Sequence, residues 1–488
     1  MISFNQIPID LRVPGQYIEF DNTRAIQGLV SQPHKILVIG QRLAAGSVAA
    51  DVPTRILSAA EAETSFGRGS MLATMLAALK DANRYTESWA IALDDAAAGA
   101  AASGSITIGG AITSTGTLNL YIGGKRVRAA VTSGDAASTV ATALAAAINA
   151  DTSLPVTAAV NGVTAEQVDI TARHKGENGN AIDLRVNYYT GEKLPTGMTV
   201  TIVAMAGGTA NPDISTTIAA IAATQYNTII MPYTDAANLT ALETELSSRW
   251  GPLQMIEGHA FTAASGTHAA LVTLGDSRNS EFVTIMGTGS SPVLPEVWAS
   301  VVGAVDAFEP DPARPRQTLP LPGILPPSES ARFTLEENNL LLKDGISTFE
   351  VDSGGNVKIQ RLITTYQQTA GGVPDTSYLD VTTMRTLAFL RFSVRARIAL
   401  KFPRYKLAND GTNFGAGQAI VTPNIIRAEL IALFRDWEDA GLAENIDQFK
   451  ADLLVERNTT DPNRVDAIIP PDIINQFRIF AGQVQFRL

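Results

Sequence analysis

Apolar and polar positions recur with two different periods in this chain, and the period changes along its length. HKILVIG (residues 34–40) is a compact apolar run closed by glycine, the pattern of a strand buried on both faces. Leu72, Met75, Leu76 and Leu79 share one face at helical spacing, which predicts a helix over residues 70–84. SWAIAL (residues 88–93) is another apolar strand. Strand, helix and strand in that order predict parallel strands joined by a crossover.

After Asp94 the pattern shifts. AAAGAAASG reads as a linker, and residues 105–205 read as short strands with glycine-rich turns: SITIG, TLNLYIGG, RVRAAV, PVTAAV, QVDITA, AIDLRVNYY and MTVTIVAM. One helix interrupts them near residues 136–149, where Val140, Leu144 and Ile148 are spaced four apart. Strands at this density predict a small β-sandwich carrying a helix.

The first rhythm then resumes. A helix near residues 214–224, the strand NTIIMPY, a helix over 236–250 with Leu239, Leu242 and Leu246 on one face, the strand EFVTIMG and a helix near 297–304 follow in turn. The middle block therefore reads as an insertion into an α/β domain, between Leu93 and about Asp213. Residues 309–327 are proline-dense, which excludes helix and central sheet, and FEVDSGGNVKIQRLITTY predicts a hairpin turning at residues 353–356. A long helix over 382–402 stops at Pro403. Thr422-Pro423 starts another, Gly441 lies just past its end, and Ile426, Leu430, Leu433 and Trp437 form its apolar stripe.

Both ends of the chain carry strand patterns. QYIEF reads as a strand near the beginning. In the final NQFRIFAGQVQFRL, the residues Gln483, Gln485 and Arg487 alternate with Val484, Phe486 and Leu488, the period of a half-buried strand, and Gly482 breaks the alternation. A chain end frays unless something holds it. Each end is therefore either an edge strand of its own domain or a segment that pairs elsewhere.

Composition narrows the class. At 488 residues the chain exceeds one ordinary core, and 45% hydrophobic with 17% charged residues is globular. The formal charge of −11 argues against a sequence-independent nucleic-acid binder. There is no cysteine, which excludes disulfides, thiolate metal sites and cysteine nucleophiles. MISFNQIPIDLRVPG lacks the basic-then-apolar order of a secretory signal, and no apolar run reaches the roughly 20 residues that span a bilayer.

Candidate chemistry is sparse. The four histidines, His34, His174, His259 and His268, have no metal-site spacing, and His259 and His268 fall in what reads as a surface loop. IGGKRVR lacks the rest of a phosphate-binding loop. GTGSSP follows a strand but is not a dinucleotide fingerprint. LGDSRNS has no nucleophile-elbow pattern and no evident base partner.

Several long runs carry a resemblance. KFPRYKLANDGTNFGAGQAIVTPNIIRAELIALFRDWEDAGL, continuing as DQFKADLLVERNTTDPNRVDAIIPPDIINQFRIFAGQVQFRL, resembles the tail sheath proteins of Mu-like contractile phages. DLRVPGQYIEFDNTRA, LYIGGKRVRAAV and TARHKGENGNAIDLRVNYY resemble the same family, so the likeness covers nearly the whole chain. It implies a subtilisin-like α/β domain without protease function, interrupted by a protruding β-sandwich-like insert and followed by an inner α+β C-terminal domain. It also implies extended strand arms at both ends. On that basis we assign residues 1–22 to an N-terminal arm, 23–95 and 211–365 to the α/β domain, and 96–210 to the insert. Residues 366–480 become the inner domain and 481–488 the C-terminal arm.

The implied role is structural, with no enzyme activity and no cofactor. Subunits would stack as hexameric rings around a tail tube in a virion tail assembled in the host cytoplasm. The implied partners are further copies of the chain, the tube protein, and the baseplate and tail terminator proteins, without nucleic acid or membrane insertion. Tyr17, Ile18, Glu19 and Phe20 would join Gln483, Val484, Gln485, Phe486, Arg487 and Leu488 as inter-subunit strands. By analogy the helix at 423–440 faces the tube with Arg427, Arg435, Asp436, Glu438 and Asp439. The alternatives are the sheath of a tailocin or related injection machine, which local residues do not separate from a phage tail, and an α/β hydrolase-like enzyme.

Overall fold

The computed structural model describes residues 12–19, 29–415 and 417–487. The chain divides into two compact units, one of His34–Pro310 with Arg316–Met384, the other of Met1–Pro33, Asp311–Pro315 and Arg385–Leu488.

The larger unit starts with β1 (Lys35–Gln41), the short β2 (Thr54–Ile56), α1 (Ala59–Phe66), α2 (Met71–Ala82) and β3 (Glu87–Leu93). Ser58 and Ser70 cap the two helices by accepting from the backbone N–H of Glu61 and Ala73. The apolar face of α2 is buried at Leu72, Met75, Leu76 and Leu79. β1 and β3 pair in parallel from Lys35 opposite Glu87 to Gln41 opposite Leu93, so this β-α-β unit has the topology its periodicity predicts.

The next run builds its own core. β4 (Ala101–Gly109), β5 (Gly116–Ile122), β6 (Lys125–Val131), α3 (Ala137–Ala150), β7 (Val156–Val160), β8 (Gln167–Lys175), β9 (Leu184–Val186) and β10 (Thr199–Ala206) form two sheets. Their orders are β10-β4-β8-β7 and β6-β5-β9. Val140, Leu144 and Ile148 of α3 share one hydrophobic cluster with both sheets. The AAAGAAASG stretch, expected to be linker, enters β4 at Ala101. Small residues are needed there because Ala102 is fully buried and a Cβ on Gly104 would lie 2.7 Å from the Val203 carbonyl oxygen. Gly123 and Gly124, both at positive φ, make the two-residue β5–β6 turn. The GGK sequence is thus hairpin chemistry.

The first sheet resumes with α4 (Ser215–Ile221), β11 (Thr228–Ile230), α5 (Ala236–Trp250), β12 (His259–Ser265), α6 (His268–Asp276), β13 (Val283–Gly289), α7 (Pro295–Phe308), α8 (Leu335–Lys343) and the hairpin β14 (Ile346–Val351) and β15 (Val357–Arg361). The full order is β15-β14-β13-β12-β11-β1-β3-β2. All neighbours are parallel except the two edge pairs, β14–β15 and β2–β3. β11 returns beside β1, so the small sheets interrupt a single large one. α7 is buried nearly all round, with Trp298 fully enclosed, and packs on α2 and the sheet.

The smaller unit contains α9 (Val381–Lys401) from Arg385 onward, the short parallel pair β16 (Lys406–Leu407) and β17 (Ile420–Val421), and α10 (Pro423–Asp439). After these come β18 (Ala443–Glu444), α11 (Ile446–Asp452), β19 (Leu454–Arg457), β20 (Val465–Ile468) and β21 (Asp472–Ile473). β19 and β20 form a hairpin, and β21 pairs antiparallel with β18. Leu390 of α9, Leu430, Leu433, Phe434 and Trp437 of α10, and Phe449 of α11 make the core. Phe434 stacks on Phe449 with ring centroids 4.2 Å apart.

Candidate functional site

The residues singled out for chemistry have structural roles. His259, expected at the surface, is buried at the start of β12, and its Nε2 lies 2.7 Å from Thr284 Oγ1 on β13. It faces a neighbouring strand because the sheet is covered on both sides, which a single short segment of sequence does not reveal. His268 opens α6 and reaches the Glu337 carbonyl oxygen of α8 at 3.1 Å. Gly275, Asp276 and Ser277 terminate α6, with Ser277 Oγ donating to the Leu274 carbonyl oxygen. In GTGSSP, Ser291 Oγ donates to the Leu325 carbonyl oxygen and accepts from Trp298 Nε1, fixing the loop ahead of α7. Among the described residues no group of three His, Asp or Glu could hold a metal, and no helix is long and apolar enough to cross a membrane.

Two features in the smaller unit remain as candidate interaction surfaces. The first is α10. Thr422 caps it, Pro423 occupies its first turn, and Gly441 ends it at φ 69°, a conformation that favours glycine. Its apolar stripe is locked in place when Trp437 Nε1 donates to Ser393 Oγ on α9 at 2.9 Å. The five charged residues expected on one outer face separate into two groups. Arg427 turns inward and donates to the carbonyl oxygens of Lys450 and Leu453, the end of α11. Asp436 accepts from Arg397 of α9, which also donates to Glu429 at 2.9 Å. Burial works against the Arg397 charge, but the hydrogen bonds it donates to Glu429 and Asp436 outweigh it and hold the guanidinium pKa above its usual value. Arg435, Glu438 and Asp439 stay exposed, in line with exposed Ala428 and Ala432. Arg397 was missed in the sequence because its two partners lie on another helix.

The second feature is the C-terminal segment. After β21 the Ile474 N–H donates to the Leu442 carbonyl oxygen. Gln476 then donates to the Ala313 carbonyl oxygen. Residues 483–487 belong to no strand and pair with no described residue of the chain. Val484 is 91% and Phe486 80% exposed. Gln483, Gln485 and Arg487 are exposed too. Phe477, Ile479 and Phe480 are also largely exposed, so the apolar surface begins before residue 481. Phe477 and Ile479 alternate with polar residues as strand positions do, but Phe480 directly follows Ile479 and breaks the period.

At the other end, residues 12–19 carry no strand. Tyr17 is 47% and Ile18 84% exposed, Glu19 is partly covered, and the Tyr17 hydroxyl donates to the Val13 carbonyl oxygen at 3.2 Å. Phe20 and Leu488 lie outside the described residues.

The chain is similar to several known proteins. Residues 207–365 match the phage tail sheath protein central domain, and residues 373–487 the phage tail sheath C-terminal domain. Over its full length the chain is 47% identical to a Mu-like prophage tail sheath protein of Haemophilus influenzae, of which it covers 100%. Similar solved structures include a sheath tail protein from Desulfitobacterium hafniense, 12% identical with a TM-score of 0.49, covering 94% of this chain and 100% of that one. Another, from Listeria innocua, is also 12% identical with a TM-score of 0.49, covering 92% and 93%. The sheath of an extracellular contractile injection system in its contracted state is 10% identical with a TM-score of 0.49, covering 97% and 98%.

Proposed function

The chain belongs to the phage tail sheath protein family, and on that premise we propose that it polymerises as stacked hexameric rings wound helically around a tail tube, whose contraction drives the tube through the host envelope. The matching proteins are structural components of phage tails, not enzymes. The observation that carries the reading is the C-terminal segment, where Val484 and Phe486 are held out in solvent at strand spacing. An exposed strand with an apolar face is a ready partner for a sheet edge in another copy. Backbone hydrogen bonds would supply affinity, and the alternation of Gln483, Gln485 and Arg487 against Val484 and Phe486 would set register. Tyr17, Ile18 and Glu19 are proposed as the companion strand.

Contacts between unlike surfaces that do not close make a helical filament. Arms joined to their bodies by pliable segments keep their pairing while the bodies rotate and slide. The extended sheath is then a metastable arrangement, and the gain in contact free energy on contraction, summed over many copies, does the mechanical work without nucleotide. In this reading the large sheet of the bigger unit is the subtilisin-like body, with the insert at 96–210 protruding and residues 366–480 on the tube side. The exposed Arg435, Glu438 and Asp439 of α10 contact the tube. Baseplate and terminator proteins close the two ends, and assembly takes place in the host cytoplasm before incorporation into the virion tail.

The test is negative-stain microscopy of the purified full chain beside a version ending at Ala481, each with and without tail tubes. Tubular polymer from the full chain and dispersed subunits from the shortened one are expected. Equal polymer from both removes the role given to the C-terminal strand, and no polymer from the full chain even on tubes overturns the reading.

A further inference from the structure

The insert's larger sheet, in the order β10-β4-β8-β7, has two edges that differ in kind. Ile108 N–H donates to the Glu166 carbonyl oxygen, so Ile106 and Ile108 of β4 direct their backbone groups toward β8. The residues between and beside them, Ser105, Thr107 and Gly109, are left to bond Val203, Thr201 and Thr199 of β10. By the same alternation Ala158 of β7 and Val200 and Ile202 of β10 point their N–H and C=O groups away from the sheet. At β7 the Asn149 amide of α3 donates to the Ala158 carbonyl oxygen at 2.6 Å, and its Oδ1 accepts from the Ala158 N–H at 3.0 Å. That side chain closes the edge. Among the described residues no strand lies beyond β10, and no backbone group takes the outward groups of Val200 and Ile202.

β10 also lacks the charges and prolines that keep an edge from pairing. No residue from Leu194 to Pro212 is charged, and no proline lies within the strand. Thr199, Val200, Thr201, Ile202 and Val203 are all β-branched, which suits a pleated ladder. The pairing with β4 shifts register between Val203 and Ala206, so these five residues are the regular part of the edge. Val200 and Ile202 lie opposite Ile108 and Ile106 and pack on the insert core. They are only partly buried, whereas Ile106 and Ile108 are fully enclosed. Thr199, Thr201 and Val203 face solvent on the other side of the sheet.

We propose that β10 pairs antiparallel with β10 of a second copy of this chain, about a two-fold axis at Thr201. The strand is complementary to itself. Val200 meets Ile202 in both directions on the core side, while Thr199 meets Val203 and Thr201 meets Thr201 on the solvent side. Every outward N–H and C=O of Val200 and Ile202 then finds a partner, and the two apolar pairs cover what each edge leaves open. The absence of charge lets the strand meet its own copy without repulsion. A two-fold contact closes as a dimer, whereas neighbours in a polar helix do not meet through the same strand. The pairing therefore joins dispersed subunits or two separate polymers, and it stands apart from the contacts of the sheath itself. Five residues a side make a small contact, so the dimer is transient and depends on concentration.

The chain has no cysteine, so one introduced thiol reports the contact. Opposite residues of a non-hydrogen-bonded antiparallel pair have Cα atoms about 4.5 Å apart, within disulfide reach. Residue 199 would lie about 13 Å or more from its own copy in the same register. Full-length Thr201→Cys and Thr199→Cys, both at exposed positions, are incubated at about 100 μM with oxidised glutathione. Thr201→Cys should form linked dimers at least about tenfold faster than Thr199→Cys. Equal rates, or no link from either, overturn the proposal. Adding Ile202→Pro to Thr201→Cys removes an outward N–H and no bond to β4, and should slow linking about tenfold. Adding Thr199→Lys and Val203→Lys instead places like charges opposite each other on the solvent side and should slow it as much, whatever the proline does to folding. Linking that neither addition slows overturns the pairing.

Discussion

Replacing Arg397 with methionine tests how the two longest helices of the smaller unit are held together. The Arg397 side chain is 14% exposed, and its partners Glu429 and Asp436 are 17% and 28% exposed. Methionine keeps most of the aliphatic stem and removes the charge. Two carboxylates on one face of α10 then lose their shared cation. Lys401, 3.7 Å from Glu429, compensates for that one only in part. Removing one partner of a buried, charge-assisted set costs about 3–5 kcal/mol. The partial exposure here puts the expected cost at the low end, about 3 kcal/mol, or roughly a hundredfold in local opening. Hydrogen exchange read by mass spectrometry on peptides from α9 and α10 should register that loss of protection. Peptides from β1 and β12 serve as internal controls. Neutralising all three groups, as Arg397→Met with Glu429→Gln and Asp436→Asn, should recover about half the protection, because no carboxylate is then left without a cation. If α9 and α10 exchange within about threefold of the wild type in the single variant, or if the triple variant is no better, the charge network does not hold the pair.

Changing Val484 and Phe486 to serine should leave the melting temperature of the isolated subunit unchanged, since both are already exposed. If the segment is buried in the polymer, the critical concentration for assembly, measured by sedimentation, should rise at least about a hundredfold, given roughly 1.5–3 kcal/mol per buried side chain. Charge reversal at Arg435 and Asp439 should weaken co-sedimentation with tail tubes and spare folding. Asp436, tied to Arg397, should instead reduce stability when reversed. Gly275→Ala should destabilise the larger unit by about 3 kcal/mol or more in denaturant titration, because the new Cβ would sit 1.9 Å from the Asp344 carbonyl oxygen. Burial alone would raise the pKa of Asp95, but hydrogen bonds from His174, the Lys175 backbone and Gln41 bring it below 3.8. A depressed carboxyl contributes stability above its unfolded value and loses it as the pH falls through the folded one. Asp95→Asn should accordingly flatten the loss of stability below pH 3.8 in acid titrations followed by circular dichroism.

The polymer proposed here places its demands on the smaller unit and on the chain ends, while the larger unit contributes a rigid α/β body. That body can be rigid because its central helix α7 and strands β1 and β12 are buried almost without interruption.

Local periodicity and capping were legible in the residues themselves. The apolar run of β1, the stripe of α2, the Thr422-Pro423 start of α10, its Gly441 stop and the β14–β15 turn all follow from contacts within a few residues, which a single segment encodes. The alternation of Gln483 to Arg487 was equally plain. Tertiary structure decided what lies far apart in sequence. It sets β11 beside β1 across the whole insert, turns His259 into a core residue, and makes part of an alanine-rich stretch a strand against β10. It also turns Arg427 and Asp436 inward and leaves Arg435, Glu438 and Asp439 outside, because α11 and α9 supply partners to the first two. Side-chain period tells which face is polar. Only the position of neighbouring helices tells which polar groups are already satisfied and which remain available to a partner.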